Sequence, residues 1–485
     1  MNDNSTYCVA LDQGTFSSRA LVYSSEGRLI RSAQKAISLN RIDQHRVEQS
    51  AEEILNSILI VLNEVLYVNK KLDTQIKIAG LTTQRSSIVA WRKSTGECLS
   101  PVLSWQDTRA WQWLNTFDNQ SSTIEAITKL RLSPHYGVSK IRWLIENNLQ
   151  VSQAIQQGDC IISPLASYLL FHMTQHSNIA IDAANASRML LLNFQSLNWD
   201  NQLLKLFSID GSIFPECKNI SFNYGTIKDT DICINVINGD QNSALYQSGI
   251  PDNTALRINI GTGAFVLTPV EDEVPESEMF SNSGLLAGVS NSNHTSNDLY
   301  IEGTVNGAAS ALQWLEKKYS CINVEDIISK NDLIGIDPPI FINTIGGLGS
   351  PFWRSEQLPY FLDYLPNKEN TPQTVLAVLE SIIFLLMVNI ERIQKIKPGI
   401  NFIHISGGLS NLSILCQTLA DLSQLEVHQS NDSEASAKGI AWLAFNHYHH
   451  LPPKWQSTQT TTLWTPENNK SLSLRYEKFN RAITI

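Results

Sequence analysis

The stretch Val9-Ala10-Leu11-Asp12-Gln13-Gly14-Thr15-Phe16-Ser17-Ser18-Arg19 joins an apolar segment to a carboxylate, a glycine and a run of hydroxyl and cationic side chains. The apolar residues predict a strand over 7–12, and a second strand follows over 18–23. Gly14 lets the backbone approach an anion, and the side chains of Thr15, Ser17 and Arg19 offer donors to phosphate oxygens. The stretch therefore predicts a phosphate-facing turn, with Asp12 at the end of its strand, that can also hold Mg²⁺. An ordinary β-hairpin is the alternative.

A similar pattern occurs in the second half, where the apolar strand Arg257–Ile260 runs into Gly261-Thr262-Gly263. A third glycine turn, Gly407-Gly408, follows a strand predicted over 401–406. The repetition predicts a duplicated architecture, and the three turns together predict an ATP cleft between two halves. The sequence has neither GxxxxGK[ST] nor a complete GxGxxG, which argues against a P-loop and a Rossmann dinucleotide site.

Length and composition limit the class of protein. The 485 residues are 42% hydrophobic and 17% charged, as expected for two or three globular domains. A net charge of -10 argues against nucleic acid or anionic lipid as a partner. Seven cysteines without a CxxC pair favour a reducing cytoplasm, and the N-terminus lacks a signal-peptide pattern. The longest apolar run, Val375 to Ile390, is interrupted by Glu380 and Asn389, so it predicts a buried core helix and no membrane span.

Both halves alternate strands and helices, which predicts an α/β fold with doubly wound sheets. A turn-rich stretch near residue 250 predicts the division into domains 1–249 and 250–485. In the first domain, helices are predicted over 51–68, 139–147 and 161–173, strands over 76–81, 87–91 and 233–237, and a helix-like segment over 244–247. In the second domain, helices are predicted over 307–318 and 374–395, after Asn411 and from Thr465.

Transfer of a phosphoryl group to an alcohol requires a carboxylate that accepts the hydroxyl proton. Asp240, in Asn238-Gly239-Asp240-Gln241 after the strand 233–237, fits this role, with a structural turn aspartate as the alternative. Gln84-Arg85-Ser86-Ser87 and Ser104-Trp105-Gln106-Asp107 also follow predicted strands. They combine hydrogen-bond donors with one large ring, which suits a small polyhydroxylated ligand.

These segments resemble the FGGY family of carbohydrate kinases and, within it, most closely the glycerol kinases, over nearly the whole chain. Further matching segments lie in the same order: Asn185-Ala186-Ser187-Arg188-Met189, Glu302-Gly303, Gln313-Trp314-Leu315 and Gly347-Leu348-Gly349-Ser350-Pro351. The resemblance implies two ribonuclease-H-like domains, related to actin and hexokinase, that close on ATP and Mg²⁺ in an interdomain cleft. It also implies assembly as a homodimer or homotetramer.

The resemblance implies a role for each matched position. Asp240 would be the general base, and Asp12 would help to hold Mg²⁺. The positions that correspond to ATP contacts are Gly14, Thr15, Ser17, Arg19, Gly261, Thr262, Gln313, Gly407 and Gly408. The positions that correspond to the substrate pocket are Arg85, Ser86, Trp105, His135, Tyr136, Asp240, Gln241 and Phe265. The segment after Gly408 does not reproduce the family's adenine-loop asparagine at equal spacing, so Asn411 is a weak counterpart.

Two pocket positions depart from the glycerol kinases. Ser86 stands where they have a glutamate, and His135, beside Tyr136, aligns with their substrate-binding tyrosine. Loss of the carboxylate would cost glycerol about 1–3 kcal/mol. The freed volume, and a donor from His135, would suit a larger ligand. The resemblance implies ATP-dependent phosphorylation of a primary hydroxyl of a small polyol or sugar, with glycerol, which would give glycerol 3-phosphate, as the first candidate. It leaves open a kinase for ribulose, xylulose or erythritol, an actin-like ATPase, and a catalytically silent sugar-binding protein.

Overall fold

The computed structural model describes residues 6–66, 75–271, 274, 278–319, 322–329, 333, 335–354, 357–367, 371–430, 434–450, 452–453, 455 and 461–484. In chain order, the strands β1 to β23 span Tyr7–Gln13, Ser17–Ser24, Leu29–Ala36, Asn40–Arg41, Val47–Gln49, Ile76–Thr83, Ile88–Arg92, Val102–Leu103, Cys160–Pro164, Ala180–Asp182, Leu192–Asn193, Asn198–Trp199, Glu216–Lys218, Cys233–Gly239, Ala255–Ile260, Ala264–Val270, Leu286–Ser292, Asn297–Val305, Phe341–Ile342, Tyr360–Phe361, Phe402–Ser406, Glu426–Ser430 and Thr461–Trp464.

The helices α1 to α16 span Ala51–Val65, Trp111–Asn115, Ser121–Thr128, Gly137–Asn147, Leu149–Gln156, Leu165–Met173, Ala183–Ser187, Asn201–Leu206, Asp240–Ala244, Glu278–Ser281, Ala309–Lys318, Val324–Ser329, Thr371–Ile396, Ser413–Ser423, Ala435–His449 and Lys470–Thr484. Short 3₁₀ helices span Asp118–Gln120, Gly211–Ile213 and Gly408–Asn411.

The chain forms two compact units. The first unit contains Met1–Pro251, Gly288–Leu299 and Glu434–Ser457, and the second contains Asp252–Ala287, Tyr300–Ser433 and Thr458–Ile485. The first change of unit lies beside the turn-rich stretch near residue 250. The predicted division into 1–249 and 250–485 places the two later segments of the first unit, Gly288–Leu299 and Glu434–Ser457, in the second domain.

The central sheet of the first unit has the strand order β14-β6-β1-β2-β3. Strand β1 is antiparallel to β2 and parallel to β6, and β14 is parallel to β6. In this register Asp12 and Asn238 both lie beside Thr82. The carboxyl ends of three neighbouring parallel strands therefore meet at one edge of the sheet, where ligands commonly bind in α/β folds.

Helices cover both faces of this sheet. Helix α1 begins where the Ser50 side chain accepts a hydrogen bond from the Glu53 amide, and it buries an apolar stripe that includes Ile54 and Ile58. Helix α15 lies on the other face, where a Cβ added to Gly80 would stand 2.7 Å from the Ile440 side chain. Side chains alternate between the faces of a strand, so the Asp12 side chain points to the face covered by α15.

A seven-stranded sheet has the order β17-β18-β16-β15-β21-β22-β23, and the strands β15, β16, β21, β22 and β23 lie wholly in the second unit. Strand β15 is antiparallel to β16 and parallel to β21, and β22 is parallel to β21. This repeats the arrangement of β1, β2, β6 and β14. Helices α13 and α14 pack together and against this sheet. Helix α13 is long and apolar enough to cross a membrane, but 94% of its most apolar window is buried, which confirms the predicted core helix.

The structure corrects three predicted elements. The segment 161–173, predicted to be helical throughout, begins as the fully buried strand β9, which ends at Pro164 and is followed by α6. A short buried apolar run does not by itself distinguish a strand from a helix. The helix predicted over 244–247 lies instead over Asp240–Ala244. The last helix starts at Lys470 and not at Thr465, because the Asn469 side chain accepts the hydrogen bond from the Leu472 amide.

Candidate active site

Asp12 and Arg19 face each other across the β1–β2 hairpin. The hairpin register pairs these residues, and Arg19 Nη2 lies 2.6 Å from Asp12 Oδ2. The second guanidinium nitrogen of Arg19, Nη1, lies 2.7 Å from Oε2 of Glu434, the residue before α15. Asp12 is buried and Arg19 is a quarter exposed. The predicted phosphate turn therefore has its arginine held by two carboxylates.

Asp12 carries the charge environment expected of a ligand for a divalent cation. The pKa of its carboxyl is raised to about 6, chiefly by burial, with the nearby carboxylates of Asp240 and Glu434 acting in the same direction and the Arg19 guanidinium opposing them. Among the described residues, no group of three or more His, Cys, Asp or Glu side chains is arranged to hold a metal ion. Mg²⁺ commonly binds through one or two carboxylates together with substrate phosphates. Asp12 fits that mode of binding.

Trp105 links the phosphate turn to the predicted substrate residues. Its indole Nε1 donates a 3.0 Å hydrogen bond to Thr15 Oγ1, and Gln49 Nε2 donates to the Thr15 carbonyl. The turn itself is closed by the Gly14 amide, which donates to the Ser17 carbonyl at 2.9 Å. The Trp105 carbonyl lies 3.2 Å from Nδ1 of His135. The structure thus brings Thr15, Trp105 and His135 together within the first unit.

Arg85 and Asp240 lie at the ends of the adjacent parallel strands β6 and β14. Arg85 Nε is 3.7 Å from Asp240 Oδ1, and the Gln241 amide donates to the same oxygen at 2.7 Å. A Cβ added to Gly239 would stand 2.7 Å from Cγ and Cδ of Arg85, so only glycine permits this packing. Ser86 is buried and has a φ of 63°, in the left-handed region. The predicted base and the predicted hydroxyl-binding arginine are therefore neighbours.

His135 has a defined hydrogen-bonding role. Burial and the nearby Lys140 ammonium lower its pKa to about 4, so the imidazole is neutral at pH 7. Its Nδ1 faces the Trp105 carbonyl and must donate to it, which leaves Nε2 as an acceptor. The expectation that His135 donates to a substrate hydroxyl is thereby corrected, because the ring offers an acceptor. The neighbouring Tyr136 is buried, at 5% exposure.

The segment that carries His135 is held by the buried side chain of Lys140. Its Nζ donates to the carbonyls of His135, at 2.5 Å, and of Pro134 and Tyr136, at 3.4 Å each. Burial lowers the Lys140 pKa to about 7, against the opposing effect of Asp107. Lys140 therefore fixes three consecutive backbone carbonyls of the predicted pocket.

In the second unit, the predicted nucleotide residues meet at the ends of β15 and β21. The Thr262 carbonyl accepts hydrogen bonds from the amides of Ala308 and Ser310, and the Gly261 carbonyl accepts one from Ala309. Gly407 has a φ of 96°, and a Cβ there would lie 2.6 Å from the Ile260 carbonyl oxygen. The Gly261-Thr262 turn thus adjoins both the start of α11 and the Gly407 turn.

Three other predicted positions also lie in this unit. A Cβ added to Gly408 would meet nothing within 4 Å, so this backbone is open to a ligand. Gln313 is exposed on α11, about one turn after Ala309, and Phe265 is half-buried on β16. Asn411 ends the 3₁₀ helix that starts at Gly408.

Sequence reasoning missed three residues of this site: Glu434, Lys140 and Asn242. Glu434 forms an ion pair with Arg19, which lies more than 400 positions earlier in the sequence, and no local sequence pattern predicts such a contact. Of the three, Lys140 could most readily have been predicted. It lies between Val138 and Ile141, on the apolar side of its helix, and this position indicates a buried cation. Asn242 follows the predicted base by two residues and binds Arg85.

Comparison with known proteins places the chain in a family. Residues 7–234 match the N-terminal domain, and residues 256–447 the C-terminal domain, of the FGGY family of carbohydrate kinases. A glycerol kinase of Acinetobacter baylyi is 30% identical over 475 residues, which cover 94% of each chain. One of Mycoplasma capricolum is 31% identical over 463 residues, 92% of this chain and 89% of that one.

Solved structures agree with the fold. The Plasmodium falciparum glycerol kinase with ADP superimposes with a TM-score of 0.84 at 25% identity, covering 99% of this chain and 98% of that one. A ligand-bound xylulose kinase of Lactobacillus acidophilus gives a TM-score of 0.81 at 18% identity, over 99% and 97%. Both confirm the predicted two-domain α/β fold of the actin and hexokinase type. The chain belongs to the FGGY family of carbohydrate kinases.

Proposed function

We propose that this kinase transfers the γ-phosphoryl group of ATP to a primary hydroxyl of glycerol and forms glycerol 3-phosphate. The observation that carries the proposal is the pair Arg85 and Asp240 at the ends of adjacent strands, 3.7 Å apart. A guanidinium beside a carboxylate offers donors to one hydroxyl of a polyol and a proton acceptor to the next. The relatives that match over nine-tenths of the chain are named glycerol kinases.

In the proposed reaction, Asp240 accepts the proton of the hydroxyl that attacks the γ-phosphorus. The new bond forms between the substrate oxygen and phosphorus as the bond from phosphorus to the bridging oxygen breaks, and ADP leaves with that oxygen. Arg85 binds the other hydroxyls, and the ring of Trp105 packs against the carbon skeleton. Gln241 supports Asp240, since its amide donates to the carboxylate that must be oriented.

The phosphates are assigned to backbone and cationic groups. In the first unit these are Gly14, Thr15, Ser17 and the Arg19 guanidinium. In the second unit they are Gly261, Thr262, Gly407 and Gly408, with Gln313 on α11. Asp12 would hold Mg²⁺, which when bound neutralises charge that develops on the phosphates.

A kinase for a ketopentose or a longer polyol is the second candidate. It is favoured by the buried serine at position 86, which is shorter than a glutamate and neutral. His135 adds an acceptor at Nε2 that a further substrate hydroxyl would satisfy. Glycerol stays first because the named relatives span nearly the whole chain.

The test is ADP release with ATP and Mg²⁺ against glycerol, dihydroxyacetone, erythritol, ribitol, ribulose and xylulose. The proposal expects glycerol to give the highest kcat/KM. A pentose in first place would replace glycerol by the second candidate and make Ser86 and His135 the reason. Tight ATP binding without turnover of any of these compounds would contradict both. Cytoplasmic location and a homodimeric or homotetrameric assembly remain predictions, the second open to sedimentation analysis.

A further inference from the structure

The side chain of Asn242 connects the predicted hydroxyl-binding arginine to the hairpin β17–β18. Its Oδ1 accepts a 3.1 Å hydrogen bond from Arg85 Nη1, and its Nδ2 donates a 2.7 Å hydrogen bond to the Val289 carbonyl. Asn242 is 1% exposed, and both bonds are buried. All three residues belong to the first unit.

The two partners fix the orientation of the amide. A guanidinium only donates and a carbonyl only accepts, so the oxygen of Asn242 must face Arg85 and its nitrogen must face Val289. No other ordinary side chain of this size offers one acceptor and one donor in these directions. Aspartate would set a second acceptor against the Val289 carbonyl, and leucine would leave that carbonyl and the arginine without their partner.

The contact also limits how Arg85 approaches the base. The stem of Arg85 lies over Gly239, where a Cβ would be 2.7 Å from Cγ and Cδ, and its Nε stands 3.7 Å from Asp240 Oδ1. Arginine and carboxylate side chains free to do so form short bidentate pairs. The bond from Nη1 to Asn242 holds the guanidinium in the orientation in which Nε stands 3.7 Å from Asp240, outside the distance of such a pair. A tighter pair would make Asp240 a weaker base.

We propose that Asn242 is a positioning residue that holds Arg85 in the orientation that binds substrate hydroxyls and keeps Asp240 available as the base. The proposal rests on the proposed function for the roles of Arg85 and Asp240. The link from Asn242 to Arg85 rests on the hydrogen bonds alone.

The test is a double-mutant cycle of Asn242→Ala and Arg85→Met, followed in kinetics and in thermal unfolding. Loss of a hydrogen bond to a charged group predicts that Asn242→Ala raises the KM for the polyol about tenfold, and that the KM for ATP changes less than about twofold. In the Arg85→Met background, Asn242→Ala should no longer raise the polyol KM. The acidic limb of the kcat profile should move to lower pH in Asn242→Ala, as Arg85 closes on Asp240.

The matched control is Asn238→Ala. Asn238 is equally buried and donates to the carbonyl of Ser290, next to Val289 in the same hairpin strand, but its Oδ1 accepts from the Gly239 amide where that of Asn242 accepts from Arg85. It should lower the melting temperature in a similar way without the tenfold change in polyol KM or the shift of the pH limb.

The proposal is overturned if the effects of Asn242→Ala and Arg85→Met simply add, in both polyol KM and melting temperature, or if Asn238→Ala reproduces every kinetic change. If no polyol is turned over by the wild-type protein, the proposed function fails. The melting temperatures of the cycle then decide alone whether the two side chains are coupled.

Discussion

The two central sheets share the same strand arrangement, but they differ in the residues that follow the carboxyl ends of their strands. In the first unit, β1, β6 and β14 deliver the charged side chains of Asp12, Arg85 and Asp240. In the second unit, β15 and β21 deliver the glycine turns that begin at Gly261 and Gly407. One sheet edge therefore presents titratable groups, and the other presents backbone.

The difference corresponds to two kinds of binding. Backbone turns bind phosphates by geometry, whereas side chains at a sheet edge can change identity and so change the reaction or its substrate. We therefore expect substitutions in the first unit to act on the polyol and on chemistry, and substitutions in the glycine turns to act on ATP.

The largest effect is expected for Asp240→Asn, which removes the base but retains an oxygen that can accept from the Gln241 amide. The kcat should fall at least about a hundredfold, with the KM for ATP little changed. Steady-state kinetics with the best substrate measures both. Asp298→Asn serves as a control, because this carboxylate accepts from the Tyr246 hydroxyl elsewhere in the first unit. Near wild-type turnover in Asp240→Asn would remove Asp240 from the mechanism.

The glycine turns are tested by Gly407→Ala and Gly408→Ala. At Gly407 the φ of 96° and a Cβ 2.4 Å from Asn259 Oδ1 predict a lower melting temperature and a KM for ATP raised more than about tenfold. At Gly408 the added methyl group meets no protein atom within 4 Å. Gly408→Ala should therefore keep the melting temperature and alter the KM for ATP alone. Equal destabilisation by both changes would contradict the distinction.

Ser86→Glu tests whether the first unit sets the choice of substrate. A carboxylate at this position would accept two hydroxyl hydrogen bonds, which should raise kcat/KM for glycerol relative to ribulose about tenfold. Ser86→Ala, which adds no acceptor, should not raise that ratio. Competition between the two substrates in one reaction gives the ratio directly, and an unchanged value in Ser86→Glu would exclude position 86 as the specificity determinant.

The stability of the first unit should depend on pH through Lys140. The pKa of Lys140 is lowered from 10.5 to about 7 in the folded chain, so between these values the unfolded chain binds a proton that the folded chain does not. The free energy of unfolding should rise with pH in this window, by up to about 1.4 kcal/mol per pH unit. Denaturant unfolding at several pH values should show this slope reduced in Lys140→Met and unchanged in a variant of the exposed Lys35. An equal slope in Lys140→Met would contradict the burial argument.

Much of this site could be predicted from sequence because its parts are local. Asp12, Gly14 and Arg19 belong to one hairpin, and Asp240 directly follows one strand, so periodicity and turn chemistry were sufficient. Contacts between distant segments were not predictable in this way. The ion pair of Glu434 with Arg19, and the bond of Asn242 to Arg85, depend on packing that no local pattern encodes. The strand at the start of 161–173 is not distinguishable from a helix by sequence pattern, because it is buried on both faces and its apolar run has no period.

Helix α15 has a consequence for the synthesis of the chain. The face of the first sheet that carries Asp12 is covered by residues 435–449, which leave the ribosome long after the five strands of that sheet. At ordinary elongation rates, roughly 10–40 s separate the emergence of residue 251 from that of residue 449. During that interval the first sheet has one apolar face unprotected. A fragment cut near residue 250 would keep this exposed face, so we expect it to require a chaperone or to aggregate, although it contains all five strands of its sheet.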